Sequence, residues 1–157
     1  MYWPLFFFIG FAAGLRSLTP PAVVAWAAHL GWLTLPGALD FMGSTAAVAI
    51  FTVLALGEWV ADKWWARIPN RTSIPALVAR ILTGGLAGAC IAVAAGESLW
   101  LGAVLGKIGG IVGAFSGFYV RRHLTQGLRL PDLPVALVED AIAIGGCLLI
   151  VTRFSQG

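Results

Sequence analysis

Charge is scarce along this 157-residue chain: Lys, Arg, Asp and Glu together make 11% of it, against about 25% in a soluble domain. That shortage excludes a nucleic-acid binder. The net charge of +3 comes from ten basic residues scattered between apolar blocks, with no basic run longer than Arg121-Arg122. Cysteine is nearly absent as well. Cys90 and Cys147 lie alone in small-residue segments, which excludes a CxxC-type site and leaves the reading of buried packing residues. Histidine occurs twice, at His29 and His123, and neither stands in a serine–histidine or cysteine–histidine arrangement. No HExxH, Walker or GxGxxG motif occurs. The N-terminal MYWPLFFFIGFAAG lacks the basic n-region of a signal peptide and is read as retained membrane structure.

Apolar residues fill the space that charge leaves. They make 59% of the chain, and the mean hydropathy is +0.90. A folded protein of this length still leaves about a third of its chain surface in contact with solvent, so that solvent must be lipid. The expected fold is all-α, a polytopic membrane helix bundle in one integral membrane domain, 1–157. A helix needs about 20 apolar residues to cross the hydrocarbon, and segments 42–62, 75–95, 100–120 and 132–152 meet that length. Segment 4–31 is too long for one straight crossing and is broken at 16–21. It is either one broken span, giving five in all, or a re-entrant pair of short helices, giving six.

Basic residues then orient the bundle. Loop 63–73 carries Lys63, Arg67 and Arg71, and loop 121–130 carries Arg121, Arg122 and Arg129. The opposite loops carry Asp40 and Glu97. Both basic loops are therefore expected in the cytoplasm, with the chain in a bacterial inner membrane. Trp59, Trp64 and Trp65 mark the interface on that side, and Arg153 is the one basic residue on the other.

Glycine is abundant and ordered. Gly102, Gly106 and Gly110 recur every four residues, as do Gly109, Gly113 and Gly117, and Gly84 and Gly88 repeat the spacing in the preceding span. Residues four apart share a helix face, and small-xxx-small stripes let helices pack closely in lipid. The stripes are expected to pack helices within the subunit or across a homodimer. Lys107 on the same helix either snorkels to the outer interface or serves the bundle interior.

Ionisable groups inside a bilayer cost at least about 2.5–3.5 kcal/mol and are a functional signal by default. Arg16, Glu58, Asp62, Arg80, Glu139 and Asp140 fall in or near the spans, and the last five lie in the cytoplasmic half. Together with Ser17 and Thr19 they are the candidates for binding a substrate or ion. Carboxylates hold a proton, Na⁺ or a hard divalent cation. In GLRSLTPPAVVAW, 14–26, Pro is suited to a helix's first turn and Thr19 to its N-cap. Arg16 therefore stands just before a positive helix end, which calls for an anionic substrate or for Glu58, Glu139 or Asp140. Asn70, Arg71 and Thr72, in the proline-bracketed loop 67–75, and Arg121 and Arg122 are candidates for a phosphate or headgroup.

The stretches GLRSLTPPA, LGEWVADK with RIPNRT, GAVLGKIGGIVGAFSGFYVRR and LPDLPVALVEDAIAIG resemble the domain-of-unknown-function 4126 family of small bacterial integral membrane proteins. The resemblance implies a multi-pass protein and carries no activity. The glycine-rich helix, RR and following acidic pair also look like the C-terminal half of membrane CTP-dependent lipid cytidylyltransferases. Those enzymes bear a metal-binding aspartate where Lys107 stands here, a departure that counts against metal chemistry. Ala55-Leu56-Gly57-Glu58 echoes Ala136-Leu137-Val138-Glu139, as two inverted three-helix halves would if segment 4–31 were a hairpin.

Three functions fit these features. The first is a small permease or channel for an anion or an H⁺- or Na⁺-coupled solute, without a cofactor. The second is a Mg²⁺-dependent enzyme acting on a lipid or polyprenyl phosphate. The third is a structural membrane protein. The expected partners are membrane lipids, a small solute or ion, and a second copy of the chain.

Overall fold

The computed structural model describes residues 1–64 and 72–155. Within them the chain is helical, with no strand. Six α-helices follow in order: α1 Trp3–Leu15, α2 Thr19–His29, α3 Thr45–Trp64, α4 Ile74–Ala94, α5 Leu99–Arg122 and α6 Asp132–Thr152. A 3-10 helix, Gly37–Gly43, precedes α3, and a π-helical turn, His123–Gly127, extends α5. Helices α3 to α6 are long and apolar enough to cross a membrane. Each agrees with the corresponding expected span to within a few residues.

Segment 4–31 turns back on itself. Tyr2, at the start of α1, stacks against Phe154, just past the end of α6. Gly10 and Gly14 then meet Gly106 and Gly110 in turn, so α1 runs parallel to α5. After the break at 16–18, α2 runs antiparallel to α3. Ser17 faces Glu58, Trp26 donates to Thr52 at 3.0 Å, and Ala28 packs on Gly43. Both short helices therefore point one end at the Tyr2–Phe154 side and the other at the middle of the bundle. At 1.5 Å per residue α1 is about 20 Å long, short of the ~30 Å hydrocarbon thickness. The two helices make little contact with one another: α1 packs chiefly on α5 and α4 and also meets α6, while α2 packs on α3, α6 and α4. By contrast α4 and α5 pack along their length. The two three-helix halves are thus not packed alike, and the inverted symmetry suggested by the AL-x-E echo is absent from the helix arrangement.

Glycine decides which helices touch. Gly102 and Gly106 of α5 abut the backbone of Gly88 and Gly84 of α4, and Gly110 abuts the Arg80 carbonyl. Gly109 and Gly113 abut the backbone of α1 at Phe7, Gly10, Phe11 and Gly14. The Gly109/Gly113 register thus serves α1, while Gly106 and Gly110 lie between α4 and α1, where Gly10 and Gly14 complete the seam within one subunit. Gly117 is buried beyond the last of these contacts. Buried Phe6, Ile9, Val24, Met42, Ile91 and Val151 fill the half nearer Tyr2, with Cys90 and Cys147 fully enclosed among them. Helix α3 is the outlying element, with Ile50, Val53, Leu54 and Leu56 exposed to the membrane.

A Cβ on Gly106 would lie less than 3.0 Å from the Gly84 carbonyl oxygen, while one on Gly57 meets nothing within 4 Å. Gly106→Ala is expected to lower stability by about 1–3 kcal/mol, the usual cost of overpacking, and Gly57→Ala to leave it unchanged or raised. Thermal unfolding followed by circular dichroism in detergent checks the pair.

Candidate functional site

A helix break inside a bilayer exposes two sets of unpaired backbone groups, the last carbonyls of the first helix and the first amides of the second. Water is not there to meet them. Here charged side chains from other helices do so. On the α1 side, Arg80 Nε donates to the Gly14 carbonyl at 2.9 Å and Nη1 to its own Ala76 carbonyl at 3.1 Å. A cation thus sits at the negative end of a helix. On the α2 side, Glu58 takes the amides of Ser17 and Leu18, each at 3.0 Å, and the Ser17 hydroxyl at 2.9 Å. An anion sits at the positive end, with both carboxylate oxygens used.

The expected N-cap, Thr19, is instead the first residue of α2. Leu18 holds the cap position without a side-chain hydrogen bond, because Glu58 reaches the neighbouring amides from α3. The question raised by Arg16 resolves similarly. Its side chain is 3% exposed and turns away from the α2 terminus to Asp62, whose Oδ2 it meets at 2.7 Å, and to Asp140. Arg16 Nε and Asp140 Oδ1 are shielded from solvent and outside any aligned hydrogen bond, but lie 2.5 Å apart and hold one another by charge.

From Arg16 the network spreads across four helices. Asp140, 2% exposed, also receives Lys63 Nζ at 2.8 Å. Arg121 reaches Asp62 at 3.2 Å, Asp132 at 2.6 Å and, at 3.7 Å, Glu139. Asp62 is shared between two arginines, Asp140 between an arginine and a lysine, and Arg121 between three carboxylates. Asp140 lies eight residues past Asp132, about 12 Å along α6, so the junction extends well into the membrane from the end of the bundle that carries Arg121. Lys63 also stacks on Trp59, 4.0 Å from the ring centre, a cation–π contact.

The site brings together Arg16, Ser17, Glu58, Asp62, Arg121, Glu139 and Asp140, with Arg80 on the far side of the break and Thr19 buried beside it. Arg122 is separate: it faces away from Arg121 and donates to Gln126 at 3.2 Å. Asn70 and Arg71, like Arg67 and Trp65, lie outside the described residues. Thr72 adjoins Ser73, the N-cap of α4, at the edge of that region. Lys63 and Asp132 belong to the network although neither was among the candidate site residues. The signal for Lys63 was its place next to Asp62, and for Asp132 its place in the first turn of α6, seven residues before Glu139 and so on the same helix face. Lys107 is exposed and lays its stem against Gly85. Among the described residues no three of His, Cys, Asp and Glu group as a metal site. The carboxylates of the junction are held by guanidinium, ammonium and amide groups.

A family model described as "Domain of unknown function (DUF4126)" matches residues 5–153, from the first turn of the bundle's first helix to just past its last. The chain belongs to this family. No curated protein and no solved structure matches it. Membership in the DUF4126 family accords with the four long apolar helices of a membrane protein and assigns no activity.

Removing one partner of a buried ion pair leaves the other charge stranded, which costs about 3–5 kcal/mol, whereas replacing both with apolar groups is often neutral. Asp140→Asn is therefore expected to destabilise the bundle by that amount. The double variant Arg16→Met/Asp140→Leu should recover most of the loss, since Asp62 retains Arg121 and Lys63 is near solvent. Unfolding of the unaltered chain, Arg16→Met, Asp140→Leu and the double variant in mixed micelles, as a double-mutant cycle, measures this coupling.

Proposed function

We propose that the chain is a small membrane permease whose polar site is the ionic junction at the α1–α2 break, moving a small ion or solute with H⁺ or Na⁺ as the coupling ion. The observation that carries this reading is the sharing of partners. Buried ion pairs are poor sources of stability, since apolar residues of equal volume do as well or better. A membrane protein that only needed to hold its helices together would not require seven ionised side chains there. Pairs that share members have a second arrangement at hand: Asp62 can remain with Arg16 or with Arg121, and Asp140 with Arg16 or with Lys63. Exchange of that kind alters which helices are tied together, which is what alternating access needs. Discontinuous helices with their ends near mid-membrane are the common setting of transporter sites.

Glu58 and Glu139 have different parts in this scheme. Glu58 holds the break closed from α3, and its negative charge matters because both of its oxygens accept amides. Glu139 stands beside Asp140 on α6, facing Arg121 at 3.7 Å, and supplies the exchangeable group. The basic end, with Lys63, Arg121 and Arg122, is assigned to the cytoplasmic side of a bacterial inner membrane by the positive-inside rule.

Purified protein in liposomes, tested under pH and Na⁺ gradients with a panel of small anions and solutes, is expected to show gradient-dependent flux. Glu139→Gln should reduce that flux at least about tenfold, the effect of losing one charge-assisted contact. Glu58→Gln should lower both flux and stability. Flux absent under every gradient rejects the permease. Full activity in Arg16→Met, Glu58→Gln and Glu139→Gln alike would return the network to a structural role.

A further inference from the structure

Helices α5 and α6 share the junction at Arg121 but barely pack on one another. Gly117, which has no side chain, lines the gap where they part, and Pro131, the N-cap of α6, lines it as well. The result is a cleft of about 430 Å³ walled by Gly117, Val120 and Leu124 on one side and Val138 and Ile142 on the other, with Leu15 of α1 at the back. That volume is within the range of about 300–1,000 Å³ for small-molecule sites. Its lining is almost wholly apolar. An apolar cavity of this size does not fill with water, and Val138 and Ile142 are more than half-way exposed on the membrane face of α6. The material outside is hydrocarbon, and the cleft lies along the helices as an acyl chain does.

One end of the cleft is not apolar. It stops at Arg121 and Glu139. The Arg121 fork meets Asp132 in two parallel bonds, Nε to Oδ1 at 2.7 Å and Nη2 to Oδ2 at 2.6 Å. Asp132 is 60% exposed, so its carboxylate can turn out to water while Arg121 keeps Asp62 and Glu139. Two oxygens of a phosphate take the same fork geometry. We propose that the α5–α6 cleft is a seat for a phospholipid of the leaflet on the Arg121 side, with one acyl chain between Val120 and Val138 and the headgroup phosphate exchanging with Asp132 on Arg121. The apolar length of the cleft selects the chain, and the guanidinium at its end selects an oxyanionic head. This site stands apart from transport through the junction and does not depend on it, although both use Arg121.

The test uses the full chain in lipid vesicles with a phosphatidylglycerol bearing a photoactivatable group midway along one acyl chain. Crosslinks should concentrate in 116–124 and 130–142 over the equally lipid-facing 50–56 of α3. Val138→Trp, which fills the cleft from its membrane side, should reduce that labelling about tenfold, while Leu149→Trp, on the same helix but away from the cleft, should not. A diacylglycerol with the same photoactive chain and no phosphate should label about tenfold less, the loss of a charge-assisted bidentate contact. Excess inorganic phosphate should leave the phospholipid labelling in place. Even labelling of all lipid-facing helices, or labelling indifferent to Val138→Trp, overturns the seat. Equal labelling by diacylglycerol overturns the role of Arg121. Displacement by inorganic phosphate would show that a free oxyanion, not a lipid, is the ligand there. None of these readouts requires flux, so they stand or fall independently of the permease.

Discussion

Two broken helix ends buried in an apolar solvent dominate the design of this bundle. An unpaired amide or carbonyl in hydrocarbon costs several kcal/mol, and the break at 16–18 exposes both kinds. The chain meets them with charge. Arg80 is brought from α4 to the carbonyl end of α1 and Glu58 from α3 to the amide end of α2. Each has the sign that the helix dipole favours. Once these two charges are committed, the rest of the network follows, because a charge placed in a membrane draws others to balance it. Arg16 at the break meets Asp62 and Asp140, and these in turn meet Arg121 and Lys63. The ionic junction is thus the electrical consequence of breaking the first helix.

Close packing and charge are arranged on opposite sides of α5. Towards α1 and α4 its glycines remove side chains, and backbone meets backbone. This contact uses dispersion at short range, which is what remains to drive association when the solvent is as apolar as the protein. Towards α6 the helices separate, and only Arg121 bridges them, through Asp132 and Glu139. The bundle therefore has a tight half, α1–α4–α5, and a looser half, α2, α3 and α6, joined by the apolar core on the Tyr2 side and by ion pairs at the other end. Relative movement is easiest where long side chains and not interlocked backbones make the contact, so the looser half is the one able to shift.

Much of this was legible in the residues. Four apolar lengths marked four helices, and α6 matched its expected bounds at both ends. Two prolines after Leu18-Thr19 marked a helix start, and glycines at four-residue spacing marked a close-packed seam. Intramembrane Arg16, Glu58, Asp62, Glu139 and Asp140 marked a polar site, because burying a charge without a partner is too costly to occur by accident. The partners themselves were not legible. Thr19 had the right chemistry for a cap, yet a glutamate 40 residues away took the amides next to it. Arg80 looked like a member of the carboxylate cluster and instead caps α1. Lys63 stood out only as part of a basic loop and Asp132 not at all, yet both are network members.

The sequence by itself determined the solvent, the number of long helices, the place of the break and the need for charge compensation, since each follows from local composition and from the cost of exposing a polar group to lipid. Only the tertiary structure decided that the first segment turns back, which acid answers which base, and that α5 presses on α1 and α4 but leaves a cleft against α6. Pairing of this kind depends on distances between helices, and those are set by which glycine faces which backbone, a relation among residues up to a hundred positions apart that no local pattern contains.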